Sequence, residues 1–485
     1  MKGSVRLAAL ALAGCVLASA ATGSALPGSG APARFAAGDL GAPALAMNAR
    51  GGTALAWLSG ESVRVALRAA GGRAWRTPVS LPIAGGVAQD VQVAIDTSGD
   101  VLVAWESERE GQQIIQAASK PARERWQPPA TIRSAPGSST TRRLHAALGG
   151  DGEGIIVWES EPRGSGPLAI QAALRRSGAA RWQTPVTLSS GGGEGEDPQV
   201  AINQHGEAIA VWEQHEGIEG RGLPGPRSEV IQAATLTPGR AGSWQTPVDL
   251  SSTVVRAEDP QLALNARGEA LVAWEDVLAV EESSPTKTTI AGLQSSIVQA
   301  ARRRASGVAW SAPVSLSTPA NFASEPQVAL NAAGNAAVIW QQDYVLANSI
   351  LAVSASSPGA WQQPTPIARW RHQLPPLQYA CLRPLLDACK RRRVRLLPGA
   401  EPQVALSADG DAVAIWEQAS GYDGTIQAAR SAGNRGWRMP IDLSPSASED
   451  PRIAVDAHAR ATAAWRQAAT GASQNETVVA ARTVH

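Results

Sequence analysis

Fifteen of the sixteen tryptophans stand at two recurring positions of one repeated unit, and this repetition limits the fold more than any other feature of the chain. In one copy, Asp197-Pro198-Gln199-Val200-Ala201-Ile202-Asn203 leads through Gly206 to Ala210-Val211-Trp212-Glu213. The pattern returns in copies ending at Trp274, Trp340, Trp416 and Trp465, and more loosely at Trp57, Trp105 and Trp158. A short run such as Ile231-Gln232-Ala233-Ala234 or Ile426-Gln427-Ala428-Ala429 follows, and a second Trp then opens a segment like Trp244-Gln245-Thr246-Pro247-Val248-Asp249-Leu250. The second tryptophans are Trp75, Trp126, Trp182, Trp244, Trp310, Trp361 and Trp437.

Each unit reads as four short strands, A to D. The first two alternate with period two, and an Asn three residues before a Gly (Asn203 and Gly206, Asn265 and Gly268, Asn331 and Gly334) marks a type I turn closed by a left-handed Gly. The eighth copy has Ala459 at the glycine position, which puts its turn in question. Four-stranded units repeated about every 58 residues predict an all-β fold, an eight-bladed β-propeller of antiparallel blades, with seven blades as the alternative count. The last copy ends after strand C, at Val478–Val484. Ala31-Pro32-Ala33-Arg34-Phe35 matches Ala312-Pro313-Val314-Ser315-Leu316, so N- and C-terminal strands are expected to share one blade and remove its open edges. Tryptophan can stack on sugars, but at fixed positions in every copy it points to packing between blades.

Strand C, a short turn with Gly, a Trp and then Pro-Val-x-Leu, as in Ala301-Arg302 to Leu316, resembles the Asp-box or bacterial-neuraminidase-repeat propellers of the sialidase-like superfamily. The resemblance covers nearly all of the chain after about residue 31 and implies a propeller fold in a family of glycosidases and non-enzymatic exported proteins. The Asp that names the box is absent from every copy; before Trp437 the turn is Ser431-Ala432-Gly433-Asn434-Arg435-Gly436. The Phe/Tyr-Arg-Ile-Pro motif of sialidases is absent too, so no catalytic residue is carried over.

Length variation locates the expected functional face. From the Pro position to the first Trp every copy counts 14 residues, whereas the stretch from first Trp to strand C reaches 19 before Ile231 and 24 before Val298. The crossover from strand D to the next Pro position takes 14 to 18 residues, except for 41 between Trp361 and Pro402. B–C loops and D-to-A crossovers emerge on one side of an up-and-down blade, so this variable side is the one to search. Phe322, Tyr344, Trp370, Tyr379 and Tyr422, the aromatics outside the repeat positions and the closing strand, all map there, either as ligand contacts or as a small satellite core.

The same face should carry opposed charges. Insert 368–398 holds Arg369, Arg371, Arg383, Lys390, Arg391, Arg392, Arg393 and Arg395 against Asp387 alone, and Cys381 and Cys389 within it are expected to form a disulfide across a break at Pro384. Asp90, Asp197, Asp259, Glu325, Glu401 and Asp450 precede strand A and should ring the mouth of the central channel. Glu106, Glu159, Glu213, Glu275 and Glu417 follow the first Trp at the adjacent end of strand B. The basic insert is expected to fold over this acidic mouth. Ligand-binding candidates are Tyr344, Trp370, Tyr379, Tyr422, Glu401, Glu417, Arg391 and Arg392. Recurrence in every copy favours a structural reading of the acids, and no cofactor is expected, with Ca²⁺, which rings of carboxylates can bind, as the alternative.

Lys2 and Arg6 precede an apolar run, Leu7 to Leu17, and Ala18-Ser19-Ala20 fits a cleavage site, so residues 1–20 read as a secretory signal and 21–30 as a linker before the propeller at 31–485. Leu12-Ala13-Gly14-Cys15 resembles a lipobox, which makes a lipid anchor through Cys15 the alternative. No later segment is long enough for a membrane helix. A net charge of +1 excludes a generally basic nucleic-acid binder, and the histidines show no metal-ligand spacing. The expectation is a monomeric, secreted or periplasmic, non-enzymatic propeller binding a glycan or protein ligand. A sialidase-like glycoside hydrolase and a lipid-anchored envelope scaffold are the alternatives.

Overall fold

The computed structural model describes residues 32–37, 42–135, 141–371 and 400–484, apart from short interruptions and the loops 217–227, 279–294 and 469–476. Among the described residues the 32 elements are all β-strands. Six sheets have four strands each, and two further four-stranded units are joined into one eight-stranded sheet by a single parallel bridge, Glu229 to Arg256. Within each unit the strands pair antiparallel in chain order, consistent with a β-propeller. Strand A of each unit lies against strand A of the next, and that of the eighth unit lies against that of the first. The segment Ala33–Ala37 pairs with Thr477–Val484, with Phe35 opposite Val479, and supplies the fourth strand of the eighth unit. Among the described residues no helix is long and apolar enough to cross a membrane.

The core lies between units rather than within them. Strand B is the second of four strands, flanked on both sides in its own sheet, and its apolar residues face the neighbouring units. All eight first tryptophans are at most 1% exposed. Trp212 packs with Ile155, Val157 and Ile170 of the preceding unit, and Trp274 with Ile209, Val211 and Ile231. Trp57 closes the series, packing with Ala464 of the eighth unit and with Phe35, whose ring centroid is 5.1 Å away. The large indole surfaces are thus spent on holding units together, as the fixed spacing required.

The A–B turns add a polar ladder on one side. Asn203 Oδ1 accepts from the His205 and Glu207 amides at 2.9 and 3.1 Å, and Gly206 takes φ 77°. Asn265 and Asn331 repeat the turn and also reach the next unit, donating from Nδ2 to the carbonyls of Asn331 (3.0 Å) and Ser407 (2.9 Å). The eighth turn forms despite Ala459. Asp456 Oδ1 accepts from His458 and Arg460, both at 2.9 Å, and Ala459 adopts φ 60°.

Strand A differs from the sequence expectation. In several units it runs through the acid-Pro pair instead of starting after it, as in Gly193–Ile202, Arg256–Leu264 and Phe322–Leu330, whereas in the seventh it starts after Pro402, at Gln403–Leu406. The acid sits in a β-bulge: pairing slips between Glu196 and Gln199, Glu258 and Gln261, and Ser324 and Gln327. A bulge accommodates the Pro, which has no N–H for the ladder. Strand D shrinks to two residues in four units, for example Val248–Asp249 and Val314–Ser315, leaving little edge for another chain to pair with.

Candidate functional site

At the bulge, six residues of the innermost strands hold left-handed backbone, Asp90 (φ 43°), Arg143 (53°), Asp197 (51°), Asp259 (52°), Glu325 (55°) and Asp450 (56°), and Glu401 (42°), just ahead of strand Gln403–Leu406, does the same. Such a conformation is costly for a residue with a Cβ, and recurs where the surroundings fix it. What fixes it is the preceding unit. Glu159 Oε1 accepts the Asp197 amide at 2.9 Å, Glu213 Oε1 accepts the Asp259 amide at 2.7 Å, and Glu325 Oε2 accepts the Glu401 amide at 2.9 Å. Glu106 binds the Leu144 amide at 3.2 Å, next to the bulged Arg143. Glu106, Glu159 and Glu213 are accordingly 4%, 1% and 2% exposed. Three of the carboxylates that follow the first Trp are therefore clamps between units.

Glu275 and Glu417 behave differently. Burial, reinforced by Asp259, Glu258 and Glu325, pushes the Glu275 carboxyl up to about 8, against a hydrogen bond with Ser296 that lowers it. Burial, together with Glu401, Glu449, Asp450 and Glu325, pushes Glu417 up to about 8. The charges that act on Glu417 come from three successive units, which places five carboxyl groups in one neighbourhood. Gly424 lies directly against it: a Cβ there would come within 2.3 Å of Glu417 Oε1. Burial also raises Asp90, while Arg452 of the eighth unit draws it back down across the first unit, where Ala42 stands at the acid position.

Basic side chains offset part of this field. Arg143 pairs with Asp197 and lies 3.7 Å from Glu159. Arg466 meets Glu449 and Asp450, each at 3.0 Å. In the fourth unit burial pulls His215 down, but Glu213, Glu229 and Glu196 outweigh it and push the imidazole up to about 10. Arg256 pairs with Glu229 at 3.0 Å and with Glu258. Asp197, Glu213 and Asp259 offer carboxylate oxygens within 4.8 Å of one another, an all-oxygen set of the kind hard cations take. Glu213 is already engaged there by the Asp259 amide.

Of the eight expected ligand contacts, the structure brings Glu401 and Glu417 together. Trp370 is corrected: it lies on strand Thr365–Arg371, is 9% exposed, and packs with Ile339, Ile350, Ile367 and Trp416, so it is core. Phe322 likewise belongs to a strand, paired with Asp343, and not to a crossover. Tyr344 ends strand Ala336–Tyr344 opposite Ala347. Its side chain, together with Tyr379, Tyr422, Arg391, Arg392, Cys381, Cys389 and Cys15, lies outside the described residues. Glu258, Glu449, Arg452 and Arg466 act here as well and lie outside the acids and bases legible in the repeat. An acid directly before the acid-Pro pair, in Glu196-Asp197, Glu258-Asp259 and Glu449-Asp450, was the signal that could have found three of the acids involved.

No protein-family model matches the chain, and no curated protein does. Among solved structures it is similar to an ulvan lyase of a new polysaccharide lyase family, bound to a disaccharide repeat, at 10% identity over 85% of this chain and 98% of the other, with a TM-score of 0.46. It is also similar to a variant of the NanB sialidase from Streptococcus pneumoniae (9% identity, 94% of each chain, TM-score 0.39). A third similar structure is the alpha-L-arabinanase of Penicillium chrysogenum complexed with arabinobiose (12% identity, 70% of this chain and 92% of the other, TM-score 0.38).

Proposed function

We propose that the chain is an exported, eight-bladed β-propeller that binds a glycan without turning it over, on the face that carries the B–C loops and the carboxylate-lined ends of strands A. Eight sets of four strands, eight cores between neighbouring units and a circuit of strands A that returns to the first support the blade count. The observation that carries the function is the gathering of Glu325, Glu401, Glu449 and Asp450 around Glu417, whose carboxyl is raised to about 8. A carboxyl that keeps its proton near neutrality donates one hydrogen bond while its ionised neighbours accept others. That mixture suits the hydroxyls of a sugar, each of which both donates and accepts.

The test is a glycan array followed by calorimetry on any hit. Glu417→Gln keeps a donor and an acceptor and should bind within a few-fold of wild type. Glu417→Ala and Glu401→Ala should each weaken binding by about ten-fold, the loss expected for one hydrogen bond. Hits unaffected by either alanine variant would remove this face from consideration.

The raised Glu417 also favours a second reading. An acid protonated at pH 7 beside ionised carboxylates is what a glycosidase needs to protonate a leaving group. Turnover of fluorogenic glycosides that disappears in Glu417→Gln would replace the binding reading with a hydrolase.

A further inference from the structure

On the side of the A–B turns, away from the acidic ends of strands A, a cleft of about 1280 Å³ opens between the fifth and sixth units, with Glu269 the one acid in its lining. Arg302, Arg304 and Trp310 line it from the fifth unit, and Trp361, Gln362 and Val353 from the sixth. The Arg302 guanidinium stacks over the Trp361 ring at 5.0 Å from its centroid. Registering strand C on the residue opposite the first Trp shows what is unusual here. Trp274 faces Gln299, Trp57 faces Arg64 and Trp158 faces Gln171, so Arg302 occupies the position of Leu67 and Leu174. Those leucines pack in the same clusters as Trp126 and Trp244, the second tryptophans of the units that follow them. The fifth unit thus sets a cation where the first and third units set a leucine against the equivalent indole, and where most other units have Ser or Thr, as at Ser119, Thr235 and Ser354.

That cation is poorly compensated. Nε and Nη2 of Arg302 are shielded from water and have no hydrogen-bond partner among the described residues. Burial lowers its pKa, and Glu269 is the one acid that acts against this. Arg430, the other arginine at this register, instead donates to the Ala459 carbonyl of the next unit. Adjacent Arg303 has an anchored Nη2, which donates to Glu207 at 2.6 Å and to the Gly268 carbonyl at 2.9 Å, while its Nε has no partner among the described residues. A buried guanidinium with an idle edge costs stability that a leucine would not. Nε and Nη2 are moreover the edge whose spacing matches the two oxygens of a carboxylate.

We propose that this cleft is a binding site for a small ring-bearing carboxylate, such as an acidic monosaccharide or an aromatic acid. The carboxylate pairs with the Nε–Nη2 edge of Arg302 after a turn about its terminal torsions, and the ring lies along Trp361 and Trp310. Arg304, exposed at the rim, adds to the attraction. The proposal is independent of the reading of the carboxylate face.

Titration of the full chain with glucuronate, benzoate, glucose and inorganic sulfate, followed by tryptophan fluorescence and ligand-observed NMR, tests it. One or both ring carboxylates should bind, glucose should not, and sulfate should bind at least about ten-fold more weakly than the tighter carboxylate. Arg302→Leu should abolish that binding while raising the melting temperature, because it restores the residue used in two other units. Arg430→Leu should leave binding unchanged. No binding of either carboxylate at 10 mM (a concentration on the order of a weak single-site Kd), sulfate binding as tightly as the carboxylates, or binding that survives Arg302→Leu would each overturn the site.

Discussion

Ala459 holds φ 60° at a position where the other seven units have Gly51, Gly99, Gly152, Gly206, Gly268, Gly334 and Gly410, all with positive φ. The turn survives because Asp456 supplies the same pair of amide acceptors as the asparagines, and because Arg460 Nε adds an ion pair to Asp456 Oδ2 at 2.6 Å. Glycine would relieve the left-handed strain at a residue whose carbonyl, the acceptor for Arg430, is unchanged. Ala459→Gly is therefore expected to stabilise the protein by about 1 kcal/mol, read as a higher urea midpoint at constant slope. A lower midpoint would mean that the unfolded chain gains more freedom than the turn gains in comfort. The indoles tell a related story two residues downstream. Trp212, Trp274 and Trp340 donate to Gln214, Asp276 and Gln342 at 3.2, 2.8 and 3.2 Å, while Trp105 and Trp158, followed by Ser107 and Ser160, have unsatisfied indole nitrogens.

Among the elements, strand A shows where the sequence is readable and where it stops being so. Alternation identified its second half, Gln199–Ile202 and its counterparts, because those side chains face alternately into and away from a packed interface. It could not show that the first half, Gly193–Glu196, belongs to the same strand, since a bulge interrupts the period and puts an acid at φ 51°. Pro198 looked like a strand boundary and is in fact accommodated inside the bulge. In the same way, recurrence marked the glutamates after the first Trp as structural without showing what they hold, because the backbone amides they accept belong to the next unit, 38 to 46 residues ahead. Glu213 makes this testable. Glu213→Ala leaves the Asp259 amide without its acceptor and is expected to cost about 1–3 kcal/mol, while Glu213→Gln keeps an oxygen in place and should lose much less. Equal losses in thermal unfolding for the two variants would show that charge, through His215, matters more than the clamp.

For the molecule as a whole, the repeat foretold the strands, the cores between units and the pairing of the two termini, because each rests on local pattern or on matching sequence. Which charged groups meet could not be foretold in the same way, since Glu417 is set among Glu325, Glu449 and Asp450 by the relative placement of three units. That convergence gives the fold a distinctive dependence on pH. Glu275 and Glu417 are raised from 4.5 to about 8 and Asp276 from 3.8 to about 6, so between these limits the folded state binds more protons than the unfolded one. His215, raised from 6.5 to about 10, acts in the same direction at higher pH. Stability linked to these groups is fully present below the unfolded values and is lost as pH rises through the folded ones. Buried His145, held down from 6.5 to about 4 by desolvation, works the other way below pH 6.5, so the melting temperature should fall from about pH 6.5 to pH 9. The double variant Glu275→Gln/Glu417→Gln should flatten the part below pH 8, and added salt should narrow the gap, because the repulsion is partly open to solvent. A wild-type melting temperature that climbs from pH 6.5 to pH 8 would mean that the clamps and ion pairs, not the crowded carboxyls, govern the electrostatics of this face, and would take away the neutral Glu417 on which the proposed sugar recognition rests.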